Sequence, residues 1–250
     1  MIEPTAEFAL DTPAGLVKIR AECANGRATS ITLENAPAYC RARDLGVAVD
    51  VPELGRVAVD VAYGGMQYAI VDAASVGLRL EPAHGREICR LGEMIKVATR
   101  EQHPVDHPEF SYPGPDNLVF RGPATRGADG RLRARNAVVM SNGILEWDRP
   151  ETWTGMIDRS PCGTGTCAVM AALHARGEMA VGDELVHEGI LGTTFVGKLV
   201  GEAEVGGGGD DAVRGVVPTV TGSAWITQHC TVVLDPTDPF PVGYTVGDIW

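Results

Sequence analysis

The chain has 250 residues, 21 of them Lys or Arg and 33 Asp or Glu, for a formal net charge of −12. Hydrophobic residues at 44% and charged residues at 22% suit a chain with a packed core and exclude intrinsic disorder. The acidic balance argues against a nucleic-acid surface, no apolar run reaches the ~18 residues of a membrane helix, and the start MIEPTAEFALD lacks an export pattern.

A cytoplasmic protein with no nucleic-acid or membrane partner is therefore expected, and 31 glycines favour strands and turns over a helical bundle. In chain order, residues 15–23 alternate, Asn25-Gly26 supplies a hairpin turn, and 28–33 resume an extended pattern. Residues 57–61 alternate as VAVDV, Gly64-Gly65 interrupts, and 68–71 continue as an apolar strand. A helix is predicted over 85–99, with Ile88, Leu91, Ile95 and Val97 roughly on one face. The proline-punctuated stretch 101–115 can only be loop or edge. Residues 117–122 and 136–140 read as strands around a turn at 128–130, and 145–157 is an irregular excursion with two tryptophans. Residues 163–176 form a short alanine-rich helix closed by Gly177. From 184 to 233 strands and turns return, with a glycine run at 206–209. The fold class is α+β.

The six cysteines, Cys23, Cys40, Cys89, Cys162, Cys167 and Cys230, include no CxxC pair, so no zinc site is expected and the thiols read as reduced. Most are expected to be small buried hydrophobes. Cys162 departs from that pattern. Residues 158–167 read DRSPCGTGTC, a proline and a cysteine followed by a glycine-threonine turn that opens the alanine-rich helix. This places the Cys162 sulfur beside the free N–H groups of a helix N-terminus, which favours thiolate and lowers its pKa below ~8.5. The small residues Gly163 and Gly165 let backbone amides approach an anionic group such as a carboxylate. Asp158, four residues earlier, can face the same ligand and accept an ammonium. The plainer alternative is a buried filler thiol before a capping turn.

Other candidates are weaker. His103 and His107 have helical metal spacing, but Pro104 and Pro108 forbid the helix, so no metal is assigned. His174 lies twelve residues beyond Cys162 in one helix, ~18 Å along its axis, too far to serve as its base. His187 is the other histidine that would make a thiol hydrolase, Cys167 falls in the helix core, and Glu188 is a candidate cleft residue.

DRSPCGTGTCA resembles the second catalytic-cysteine motif of the proline racemase family, which includes hydroxyproline epimerases. LDTPAG at 10–15, AYGGMQYAIVDA at 62–73, EQHPVDHPE at 101–109 and HEGILGTTFVGKL at 187–199 are similar to further family segments. The resemblance implies a diaminopimelate-epimerase-like fold, two strand-wrapped-helix domains facing across a cleft. It also implies cofactor-independent inversion of the α-carbon of proline or hydroxyproline, with one cysteine from each domain passing the proton. Cys162 would be catalytic, while Asp158, Gly163 and Thr164 would bind substrate. The family's first motif, Met-Cys-Gly-His, is absent, and none of Cys23, Cys40 or Cys89 is followed by Gly-His.

The expectation is therefore an incomplete first domain at 1–57, loosely packed or completed by another chain, and a second domain at 58–250 whose C-terminal tail can pack back on the first. The chain as written is expected not to be a competent racemase, and a homodimer is open to it. A trans-3-hydroxy-L-proline dehydratase and a catalytically incompetent fragment are the competing readings. Dehydratases of the family often carry Thr at the position of Cys162, which favours inversion.

Overall fold

The computed structural model describes residues 3–12, 15–206, 212–241 and 243. Pro13 and Ala14 of the LDTPAG segment, the glycines at 207–209 and the last seven residues of the expected C-terminal tail lie outside them. The fold is mixed α+β and dominated by sheet. Its strands are β1 (Thr5–Thr12), β2 (Gly15–Ala24), β3 (Arg27–Glu34), β4 (Val47–Val51), β5 (Gly55–Tyr63), β6 (Gln67–Asp72), β7 (Asn117–Arg121), β8 (Thr125–Arg126), β9 (Leu132–Ser141), β10 (Gly155–Ile157), β11 (Glu184–Gly189), β12 (Thr194–Val205) and β13 (Val213–Gly222). Two α-helices accompany them, α1 (Gly85–Gln102) and α2 (Gly163–Ala175). The sheet runs β1-β2-β3-β13-β12-β11-β9-β7-β6-β5-β4, with β8 and β10 both paired to β9.

Two pairs in this order are parallel, β6 with β7 and β9 with β11, and each needs a crossover. Helix α1 lies in the first connection and α2 in the second. Both steps move the same way along the sheet, but β7 and β9 are antiparallel, so the two units start from strands pointing oppositely. Right-handed crossovers then put the two helices on opposite faces. The side chains agree. Tyr68, Ile70, Val119 and Val138 pack with α2, while Ala69, Val71, Leu118, Phe120 and Val139 pack with α1. A strand covered on both sides carries no polar phase, which is why β6, β7 and the end of β9 read as continuous apolar runs.

The pentapeptide VAVDV occurs at both 47–51 and 57–61, and the two copies form the β4–β5 hairpin, Val49 opposite Val57. Val49, Val51, Val57 and Val59 are buried against α1. The second copy's Asp60 points the other way, accepts the Arg176 Nε–H at 2.9 Å, and so ties β5 to the end of α2. Residues 47–57 thus pack on α1 rather than standing loose, and the division drawn at residue 57 falls within β5. Exposed apolar side chains before β4 belong to the outer hairpin: Phe8, Leu10 and Leu16.

Other differences from expectation have local causes. Helix α1 runs to Gln102, and its buried face uses Met94 and Ala98, with Val97 only half-buried. The excursion at 145–157 packs on the α1 core through Trp153, whose ring meets Trp147 edge-on at 5.9 Å, and ends in β10. The strand character expected up to residue 233 stops at Gly222. Residues 223–241 are exposed and contain no helix or strand, for want of a neighbouring strand among the described residues.

Helix α1 also buries an ion pair. Lys96 Nζ donates to Glu93 Oε2 at 2.8 Å, and Ser141 Oγ of β9 donates to Glu93 Oε1 at 2.8 Å, with both charged side chains shut off from solvent. Burial pulls the Lys96 pKa down, while Glu93 opposes that shift. Replacing Lys96 by Ala leaves a buried carboxylate without its partner and is expected to cost about 3–5 kcal/mol in urea unfolding, most of it recovered in a Glu93→Leu, Lys96→Met double variant.

Candidate active site

The sequence 158–167 sits where β10 gives way to α2. Cys162 is the residue capping the helix, and its backbone has φ +64° and ψ 123°, a left-handed conformation unusual for a residue with a side chain. Surrounding hydrogen bonds hold it there. The Thr166 hydroxyl donates to Cys162 C=O at 2.6 Å, Asn136 Nδ2 donates to Pro161 C=O at 2.7 Å, and the Cys162 N–H donates to Ser160 Oγ at 3.1 Å. Ser160 in turn donates to Asp158 Oδ1 from both its N–H, at 2.9 Å, and its hydroxyl, at 3.1 Å. One short network therefore fixes the cysteine and the carboxylate together.

The Cys162 sulfur faces the first turn of α2. Its neighbours are Thr164 Oγ1 at 3.7 Å, the Gly165 N–H, and the Tyr68 hydroxyl at 3.3 Å. A Cβ on Gly165 would lie 3.3 Å from the sulfur, so glycine keeps that contact open. Gly163 and Thr164 are partly exposed beside the buried cysteine. Asp158 is half-buried and close enough for its charge to act on the thiol. The four residues singled out in the sequence thus lie at one place in the fold.

Gly64-Gly65 explains how this turn meets the sheet. A Cβ on Gly64 would lie 2.2 Å from Thr164 C=O and 2.3 Å from Ala168 N, inside the backbone of α2. Only glycine lets the β5–β6 turn lie against the helix, and Asn35 Nδ2 braces the turn by donating to Gly64 C=O at 2.7 Å.

The electrostatics depart from the sequence expectation. Burial pushes the Cys162 thiol above the ordinary range rather than below it, and Asp158 adds to the rise. Hydrogen bonds from Tyr68, Gly165 and Thr164 pull the other way without overcoming the loss of solvent. Cys40 and Cys167 are pushed up to about 12 by burial. Cys230 is exposed.

Tyr68 is the site residue missed in the sequence, where one tyrosine in an apolar strand reads as core. Its signal is the period-two phase that sends 68 and 70 toward α2. The remaining candidates lie elsewhere. His103 Nε2 meets Asp44 Oδ1 at 2.9 Å, His107 stacks on Phe110 at 3.9 Å, and His174 Nδ1 meets Met179 C=O at 2.9 Å. Glu188 is bound by Arg135 Nη2 at 2.6 Å on the sheet surface. A cavity of about 780 Å³ is lined by Cys40, Arg41, Asp44, His103 and His107 and does not include Cys162.

His187 lies fully buried behind the loop, with Nδ1 at 2.9 Å from Thr166 Oγ1. Burial, aided by the Arg121 charge, lowers its pKa from 6.5 to about 3. Between those values the unfolded chain binds a proton that the native chain refuses, so stability falls as pH drops from 6.5 toward 3. A His187→Asn variant should show a shallower decline across that window, by about one proton, when urea midpoints are measured against pH.

The model of the family described as proline racemase matches residues 1–245 of the chain. The 4-hydroxyproline 2-epimerase of Streptosporangium roseum is 41% identical over 245 residues, which cover 98% of this chain and 67% of that enzyme. Two solved structures align with the whole chain at a TM-score of 0.78. One is a probable proline racemase from Agrobacterium radiobacter K84 with bound carbonate, at 35% identity over 67% of its length. The other is a hydroxyproline epimerase from Agrobacterium vitis with bound trans-4-hydroxy-L-proline, at 33% identity over 65% of its length. The chain spans about two thirds of the length of these relatives. No helix among the described residues is long and apolar enough to cross a membrane. With sequence and fold matched over nearly all of its residues, the chain belongs to the proline racemase family, a family of isomerases.

Proposed function

We propose that this protein inverts the α-carbon of proline or 4-hydroxyproline without a cofactor, and that Cys162 is one of the two proton carriers. The observation that carries the reading is the left-handed Cys162 at the start of α2, with Asp158 and the amides of Gly163 and Thr164 beside it. An α-hydrogen is a weak acid, so its removal needs a base on one face, an acid on the other, and little water between. Cys162 as thiolate takes the proton: the C–H bond breaks, the S–H bond forms, and the electron pair stays on the α-carbon. A second carrier on the opposite face returns a proton and inverts the centre. The amides of the partly exposed Gly163 and Thr164 hold the substrate carboxylate and the charge that develops on it, while Asp158 holds the ring ammonium.

The second carrier is not assigned to any cysteine of this chain. Cys40 donates its thiol to Val61 C=O at 3.3 Å, Cys23 to Ala21 C=O at 3.6 Å, and Cys167 is wholly buried. The same proposal covers domain organisation, with β1–β3 belonging to a first epimerase-like domain and residues from Ala38 onward to a second. The proposed boundary lies after β3 rather than at 57, a placement supported by the burial of Ala38 and Cys40 in the core around α2, which Leu33 of β3 borders. A cytoplasmic setting is included, since a thiol that works as base must stay reduced.

The test follows α-hydrogen exchange in deuterated buffer and optical rotation with L-proline and trans-4-hydroxy-L-proline, in the longest form of the protein its gene encodes. Cys162→Ser is expected to abolish exchange, and retained exchange would move the base elsewhere. Asp158→Asn is expected to raise KM about 10–100-fold, the size of a hydrogen bond to a charged group, and an unchanged KM would remove its ammonium-binding role.

A further inference from the structure

Three side chains close a ring at the N-terminus of α2. Tyr68 Oη lies 2.7 Å from Thr164 Oγ1 and 3.3 Å from Cys162 Sγ, and Thr164 Oγ1 lies 3.7 Å from the same sulfur. Tyr68 is 1% exposed, so its hydroxyl must find partners inside the protein. Both of those partners belong to the turn that carries the cysteine. The hydroxyl thus meets its need for partners at the sulfur and at the residue two positions after it.

We propose that Tyr68 is a positioning residue that keeps Cys162 hydrogen-bonded in both of its protonation states, so that the thiol alternates between base and acid with no heavy atom moving. This deepens the reading of Cys162 as a proton carrier and rests on it. In the thiol state the ring holds three protons. Cys162 S–H donates to Thr164 Oγ1, the Thr164 hydroxyl donates to Tyr68 Oη, and the Tyr68 hydroxyl donates to Sγ. In the thiolate state one proton is gone, and the sulfur accepts from the Tyr68 hydroxyl and the Gly165 N–H. When the thiolate takes the α-proton, the new S–H turns toward Thr164, and the return step reverses this. Hydroxyl and thiol rotations suffice, because each group can both donate and accept.

The surroundings support this assignment. The titratable groups facing Cys162 are Tyr68 from β6, Asp158 from the segment before α2, and Cys167 in the helix. Burial and the neighbouring thiol drive the Tyr68 pKa far above its ordinary value, so the phenol stays protonated. With Asp158 and burial both opposing thiolate, Tyr68 is foremost among the contacts that favour it.

Tyr68→Phe keeps the ring and removes only the hydroxyl. The ultraviolet thiolate absorbance of Cys162, taken as the difference from a Cys162→Ser counterpart, should titrate about one pH unit higher in this variant. Thr164→Val, which removes the proton that orients Tyr68, should move it the same way by less. A purely structural role would lower the melting temperature without displacing the titration, so that result overturns the proposal. If Tyr68→Phe does not fold, Thr164→Val alone decides, and an unmoved titration again overturns it. The exchange assay separates the two readings. Exchange retained in Cys162→Ser sinks the functional assignment, whereas an unmoved titration alongside Cys162-dependent exchange sinks only the role of Tyr68.

Discussion

Strands β6, β7 and the end of β9 have no free face, and this constraint shapes the rest of the structure. Alternate residues in each go to α1 and to α2, so a side chain's place in the strand decides which core it joins. A one-residue slip would exchange the contents of both cores at once, with no solvated side to absorb the error. The register of β6 is therefore held firmly, and with it the direction of Tyr68. The site inherits its precision from packing rather than from loop chemistry.

Against that rigid backing the chain spends energy at one residue. A left-handed backbone at a non-glycine position costs of order 1–3 kcal/mol and persists only where its surroundings over-determine it. At Cys162 three side chains supply that determination, Thr166 from the helix, Asn136 from β9 and Ser160 from the loop. The outcome is a sulfur turned inward to the first turn of α2 and two amide-bearing residues left partly open beside it.

The sequence made α2, DRSPC and the family legible because they are local: glycine, proline and cysteine at fixed spacing carry their meaning within ten residues. The hairpin of β4 and β5 was legible only in part, since a five-residue VAVDV strand has too little length to stand out until its twin is found opposite it. On α1 the expected Ile88, Leu91 and Ile95 are buried and only Val97 departs from expectation, because nearly every position from Leu91 to Thr99 is buried, Glu93 and Lys96 included, which blurs the amphipathic stripe. Tyr68 and the rise in the Cys162 pKa depend on long-range packing, the first on the approach of β6 to α2 and the second on loss of solvent. Neither can be read from neighbours in the chain.

Asp158 links two equilibria that would otherwise be independent. Its carboxylate opposes ionisation of Cys162, and a cation seated on that carboxylate cancels part of the opposition. By thermodynamic reciprocity, the thiolate then strengthens cation binding by the same factor that the cation eases thiol ionisation. A thiol placed this way ionises least readily while the carboxylate is bare and more readily once a positive charge settles beside it.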